Sequence, residues 1–493
     1  MKKFMMFLFF ACTLFSVAGC STDPEKEINK ESKNLTNYKI DITYNDYKLT
    51  AKQTIDYINS EDVELDKLYM HLYPNNFRAG ATNSPVSATN KSKAYPNGNS
   101  YGKIELSKLC VDGNETEILL EGNDDDFLKV VLEESLSPDD RIEIEMEYEV
   151  TIPNCIHRFG YGENTINIAN FYPVMAVYED EWVLDPYHYN GDPFYSDMSN
   201  YEIDLTAPSS LVLASTGVIE TKSSGESNTY KITAKAVRDY AFVLSEKFQV
   251  ISAEYEHTTI YYYYYEDENA QKSLQAGVDA IKTFSELFGT YPYSTYSIVK
   301  TNFLHGGMEY PNLVYISDDI TNIDDYLNVI VHETAHQWWY GLVGSNAYRV
   351  AWLDEGLTDF STAYFYKFNE GYNINYDEII KNTNNSYVTF VDVYTNVLGE
   401  VDTTMNRSLD KYNTEPEYVY ITYVKGALMF DSLLDMMGQE KFDKALNKYF
   451  ETYKYKNVND NHLIGIFEKV KGCDLQGWFS SWINGEVVIK NME

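Results

Sequence analysis

From about Tyr38 to Val250 apolar and polar residues alternate with a period of two, in YKIDITYNDYKLTAKQTIDYI, FLKVVLEE, RIEIEMEYEV and YEIDLTAP, with turn residues between the runs. Such alternation turns one face of each strand to a core and the other to water, and it predicts an all-β domain over residues 38–255. Ala79 to Ser100 (AGATNSPVSATNKSKAYPNGNS) breaks the pattern with a low-complexity stretch, predicted as an insertion between strands. After Glu256 the texture changes. Thr259 to Tyr265 reads as an aromatic strand, and Ala270 to Phe288 as an amphipathic helix ended by Gly289. Tyr296 to Lys300 and Leu313 to Ile316 read as short strands, and the chain beyond Tyr423 as mostly helical. The fold class predicted is α+β, an all-β N-terminal domain followed by a mostly helical domain over residues 256–493.

Ahead of these lies a different kind of segment. Lys2 and Lys3 precede an apolar run from Phe4 to Ala18, too short to span a bilayer as a helix of about 20 residues. Residues 1–19 therefore read as an export signal, and Val17 to Cys20 resemble the bacterial lipobox, which implies a lipid on Cys20, with a plain secretory signal or an uncleaved anchor as the alternative. Residues 20–37 are polar and charged, as expected of a flexible tether. The expected location is the cell membrane, lipid-anchored and facing outside the cytoplasm.

Charge and cysteine content narrow the picture further. A formal net charge of −36 argues against a nucleic-acid partner. With Cys12 in the signal and Cys20 lipidated, only Cys110, Cys155 and Cys473 remain, an odd number read as buried thiols rather than a disulfide framework.

The chemistry sits in Val331 to Glu355. His332 and His336 are four apart, so on a helix both imidazoles leave one face and can ligate one ion. Glu333 between them is placed to act as a general base beside the ion. Nineteen residues beyond His336, WLDEG returns Glu355 as a third ligand, with one coordination position left for water, the donor set of catalytic Zn2+. Leu327, Ile330, Val331, Thr334 and Trp338 follow helical spacing, with Asp324 and Asp325 to cap the start and Gly341 to end it. Asp359, one turn past Glu355, reads either as a carboxylate on the outer N–H of a ligand histidine or as an exposed polar residue. Upstream, the HGGMEYP stretch sets Glu309 beside two glycines that allow close backbone approach, although alone it is an ordinary turn. Tyr423 in YVKGA offers a phenol for a developing oxyanion, but it is one of 45 tyrosines, most of them packing residues.

Taken together, GGMEYP, HETAH, WLDEG and YVKGA resemble the zinc aminopeptidases related to alanyl aminopeptidase and leukotriene hydrolase. NFYPVMAVY, GDPFYSD and RDYAFVLS add weaker similarity. The resemblance implies a β domain followed by a thermolysin-like catalytic domain holding one zinc on His332, His336 and Glu355. It implies Glu333 as the base and Tyr423 as stabiliser of the tetrahedral intermediate. It also implies that Gly306, Gly307 and Met308 align a peptide substrate as an added strand while Glu309 binds its α-amine. The chain departs from that family in three ways. Tyr310 stands where asparagine is usual, and the N-domain glutamine that assists amine binding is not evident, with Asn167 and Asn170 as candidates. The helical C-terminal domain of many members does not follow, so a more open cleft is expected. The leading reading is an aminopeptidase. The alternatives are a zinc endopeptidase, a lipid hydrolase on the same framework, or a non-catalytic surface binding protein.

Overall fold

A computed structural model describes residues 23–490. The expected export signal and Cys20 lie outside the described residues. The alternating segments form an eight-stranded sheet in the order Val218–Ser224, Ser227–Val237, Ser199–Pro208, Thr36–Asn45, Lys48–Ile58, Arg141–Thr151, Lys103–Val111 and Asn114–Glu115. Thr36–Asn45 and Ser199–Pro208 run parallel, and the two neighbours of that pair are antiparallel to it. In Thr36–Asn45 buried and exposed residues alternate, as the sequence pattern demands. Two four-stranded sheets pack with it, one carrying Leu65–His71 and Phe127–Leu136, the other Ile166–Ala169 and Ala241–Ser245.

The second half is built on a five-stranded sheet ordered Gln249–Tyr255, Thr258–Tyr264, Thr295–Thr301, Leu313–Ser317 and Gly307–Met308, covered by helices. The expected boundary at 255/256 falls inside a hairpin, because Gln249–Tyr255 pairs along its length with Thr258–Tyr264. Period-two patterning is the same on both sides of a domain boundary, so it could not show which sheet this strand joins.

Two other expectations are corrected. The tether over 20–37 is not featureless: Pro24–Glu31 is a helix, followed by a strand from Thr36. It docks through Ile28 against the core, the Glu27–Lys454 ion pair at 2.7 Å and a bond from Lys235 Nζ to Asn29 Oδ1 at 2.9 Å. Those partners lie some 200 and more residues away in sequence, beyond what local polarity can report. Among the cysteines, Cys110 and Cys155 are buried but Cys473 is exposed.

Arg238 joins the halves. Its buried guanidinium donates to the carbonyl oxygens of Ser196, Tyr340 and Lys456, and a Cβ on Gly344 would lie 2.0 Å from it. Several buried donor groups satisfied by main-chain carbonyls of both halves hold the cleft between them in one geometry.

Candidate active site

The motif helix is Ile323–Ala335. Its start is capped by Asn322, whose side chain accepts from the N–H groups of Asp324 and Asp325, so the two aspartates occupy the first turn rather than the cap. It ends at Ala335 with His336 as C-cap, well before Gly341, because the next N–H groups turn back to Thr334 and Ala335. Trp338 Nε1 donates to Gly289 O at 2.8 Å, just past the helix Ala270–Leu287, and Trp339 Nε1 to Ser361 Oγ at 3.0 Å, so this turn is pinned on two sides. The second helix is Glu355–Phe365. It crosses the helix Lys425–Met437 at Gly356 and Gly426, where a Cβ on Gly426 would lie 2.6 Å from Gly356 Cα. That approach brings in Tyr423, which sits in one π-helical turn, Tyr420–Val424. Lys425 fixes the turn by donating to Thr403 O and Trp482 O.

The ligand atoms predicted from sequence converge. His332 Nε2 and His336 Nε2 are 3.3 Å apart, and Glu355 Oε2 lies 3.1 Å from His336 Nε2 and 3.6 Å from His332 Nε2. A tetrahedral zinc with bonds of about 2.0–2.1 Å requires donor atoms about 3.3 Å apart, so the set fits that ion. The outer nitrogens are also held. His336 Nδ1 hydrogen-bonds to Trp339 O at 3.0 Å with Asp354 Oδ1 2.8 Å away, and His332 Nδ1 lies 3.4 Å from Thr362 Oγ1 and 3.7 Å from Asp359 Oδ1. A proton fixed on Nδ1 leaves the Nε2 lone pair for the metal. Asp354 makes the tighter contact, and Asp359 is the looser of the two carboxylates.

Burial sets the charges. It pushes Glu355 up, but His336 and His332 outweigh it and hold the carboxyl well below the usual range. Burial raises Glu333 to about 7 against the pull of the same imidazoles, a value suited to taking and returning a proton near neutrality. Burial also holds the Tyr423 hydroxyl protonated as a donor, and it donates to Glu355 Oε1.

Gly307 and Met308 form the edge strand, paired with Ile316 and Tyr315. A Cβ on Gly307 would lie 2.2 Å from Glu333 Oε1, so only glycine lets this strand pass the base. Met308 contributes backbone alone, since its side chain is buried with Sδ 3.0 Å from Arg158 Nε. Glu309 is 3% exposed and its Oε1 has no hydrogen-bond partner among the described residues. Neither asparagine candidate joins it. Asn167 is spent on the carbonyls of His157 and Asn302, and Asn170 accepts from the Tyr310 hydroxyl. That last bond accounts for Tyr310, which is fully buried against Tyr315.

The N-domain residue that does enter is Asp192. Oxygens of Asp192, Glu309 and Glu355 lie within 4.8 Å of one another, and Asp192 is paired with buried Arg158. Sequence reasoning missed Asp192, Arg158 and Asp354. Asp354 stood beside Glu355 in WLDEG, whereas no spacing links Asp192 to the metal motif. The ligand set, Glu333, Tyr423, Glu309, Asp192 and Arg158 line one cleft of about 680 Å³ between the halves, with Asp354 behind it.

A His-His-Glu donor set with a glutamate base, under a glycine edge strand, is the arrangement that zinc-assisted hydrolysis of a peptide requires. The comparisons agree with that site: residues 272–482, under half of the chain, match the Peptidase family M1 domain, and the fold is that of the M1 zinc metallopeptidases. The M1 zinc metallopeptidase from Deinococcus radiodurans superposes with a TM-score of 0.67 over 93% of this chain and 96% of that one, at 15% identity. A form of that enzyme bound to a Tyr-Ser-Ala substrate gives 0.63. Aminopeptidase M1-D of Oryza sativa subsp. japonica is 24% identical over 307 residues, 58% of this chain and 34% of that protein. Leucine aminopeptidase 2 of Neurospora crassa is 25% identical over 308 residues, 57% and 45% of the two. The chain thus spans less than half the length of these aminopeptidases.

Proposed function

We propose that this protein is a zinc-dependent aminopeptidase that removes N-terminal residues from peptides. The observation that carries the reading is Glu309, a buried carboxylate with an unpartnered oxygen beside Asp192, at the end of the edge strand that passes the base. Two acids enclosed at the end of a peptide track, with one cation, Arg158, committed to Asp192, form a site for an ammonium group, and an internal peptide bond would leave Glu309 buried without a counter-ion. The peptide-bound Deinococcus structure and the aminopeptidase relatives agree with a peptide substrate.

When bound to His332, His336 and Glu355, zinc supplies a Lewis acid that acidifies water and polarises a carbonyl. The chain's own residues do the rest. Backbone at Gly306 and Gly307 aligns the peptide as an added strand, and Glu309 with Asp192 fixes the α-ammonium, so the first peptide bond falls beside Glu333. Glu333 takes the proton of the attacking water and returns it to the departing amine. The Tyr423 hydroxyl, released from Glu355, donates to the carbonyl oxygen as it gains charge.

Hydrolysis of amino-acid arylamides against their N-acetylated forms, with metal analysis of the same preparation, tests the reading. A protein without zinc, or one that cuts both forms equally, refutes it. The lipobox-like Val17 to Cys20 supports anchoring through Cys20 to a membrane facing outside the cytoplasm. No helix among the described residues is long and apolar enough to cross a membrane. Cys20→Ser should abolish lipid labelling and release the protein, and unchanged membrane fractionation with an unlabelled wild type would refute the anchor.

A further inference from the structure

Which peptides the cleft admits depends on what stands at its far end, an inference that rests on the aminopeptidase reading. With the amine at Glu309, a substrate alongside the edge strand runs past Gly307 and then Gly306, whose added Cβ would lie 3.8 Å from Val329, toward His305 and Leu304. There the 79–100 insertion of the N-terminal half meets both walls. Lys93 Nζ donates to Leu304 O at 3.1 Å and pairs with Asp319 at 3.1 Å. Asn90 Nδ2 donates to Glu415 Oε2 at 3.0 Å, and the other oxygen of Glu415 lies 4.0 Å from His305 Nδ1. Ala94 O accepts from Ile156 N at 2.8 Å, which ties this strap to the loop carrying Arg158.

Charge along the cleft points the same way. Its lining includes Asp192, Glu309, Glu333, Glu355, Asp359 and Glu415, and its only lysine or arginine residues are Arg158 and Lys93. Arg158 is buried and committed to Asp192. Lys93 is half exposed and uses two of its three ammonium donors, on Leu304 O and Asp319. Amine-binding acids at one end and a cation with a spare donor at the other form a two-ended site. Only Gly307–Met308 of the stretch from Glu309 to Leu304 is strand, so about 3.3 Å per residue is an upper bound on the separation, which an extended peptide of at most about five residues spans.

We propose that the strap and Lys93 make this enzyme selective for short peptides with a free C-terminal carboxylate, which pairs with Lys93. The test is kcat/KM for peptides sharing one N-terminal residue, of three, four, five and ten residues, each as free acid and as C-terminal amide. For the short peptides wild type should prefer the acid by about three- to tenfold, as expected of one partly exposed ion pair. The ten-residue pair should be cut more slowly and show no difference. Lys93→Glu should reverse the preference, Lys93→Gln should bring the acid-to-amide ratio near one, and Lys93→Arg should retain it. Equal rates on acid and amide in wild type, or a preference that survives Lys93→Glu, overturn the proposal. Wild-type hydrolysis of an amino-acid arylamide separates the two levels. Its absence overturns the aminopeptidase reading and this inference with it, whereas its presence with no acid preference overturns this inference alone.

Discussion

Glu309→Gln is the substitution that tests the amine site most directly. Glutamine keeps the volume of a side chain that is 3% exposed, so packing is conserved and only the charge is lost. Glu309 Oε1 has no partner among the described residues, and a substrate ammonium would supply one through a charge-assisted hydrogen bond. Such a bond contributes about 1.5–3 kcal/mol, and at about 1.4 kcal/mol per tenfold this is about 10- to 150-fold in kcat/KM. Asp192 remains beside the vacated charge and keeps the loss toward the lower end of that range. The folded protein should not suffer. Burial, and then the neighbouring Asp192 carboxylate, push the Glu309 carboxyl well above its ordinary range, so a neutral amide avoids the cost of burying a charge there and Tm should equal or exceed that of wild type. The assay is kcat/KM for an amino-acid arylamide and for the same compound lacking the α-amine, wild type against variant. The reasoning predicts that the ratio of the two substrates collapses in the variant. If both substrates lose equally, or if Tm falls with activity, then Glu309 supports the fold and does not bind the amine.

Glu333→Gln should keep one zinc per chain by metal analysis and lose nearly all turnover, since it removes the base and no ligand; wild-type rates would refute the assignment. Tyr423→Phe should lower kcat by about 10²–10³, the usual cost of one oxyanion donor, and an effect confined to KM would place the hydroxyl elsewhere. Gly307→Ala should fold normally yet be nearly inactive, because its Cβ would lie 2.2 Å from Glu333 Oε1, and activity within about twofold of wild type would contradict the close approach. Asp239 is buried and accepts from the Tyr340 hydroxyl, and burial raises its carboxyl from 3.8 to about 6. The folded state therefore holds that proton more tightly than the unfolded chain, and the stability this contributes is complete below about pH 3.8 and lost as pH rises through about 6. Asp239→Asn should gain on wild type by up to about 3 kcal/mol between pH 4 and 7 in denaturant unfolding, and a gap that does not change with pH would refute the raised value.

The sequence by itself determined what depends on near neighbours. Spacing of four put His332 and His336 on one helical face, and period-two patterning marked strands such as Thr36–Asn45, because both signals arise from backbone geometry within a few residues. The chemical types in HETAH and WLDEG determined the ligand set, since two imidazoles, a carboxylate and a glutamate base suit few tasks other than catalytic zinc. Tertiary structure alone decided everything that required distant segments to meet. Asp192 lies 117 residues before Glu309 and faces it only because the clasp around Arg238 fixes one half against the other. The helix stops at Ala335 because Trp338 and Trp339 are held by Gly289 and Ser361. Pro24–Glu31 is ordered by contacts with Lys235 and Lys454, and Gln249–Tyr255 joins the catalytic sheet by pairing that its own alternation could not specify. The physical reason is common to these cases. Local propensity and periodicity report which face of a segment will be buried, but the partner that buries it, or that supplies the second charge in a site, is chosen by packing between residues far apart in the chain.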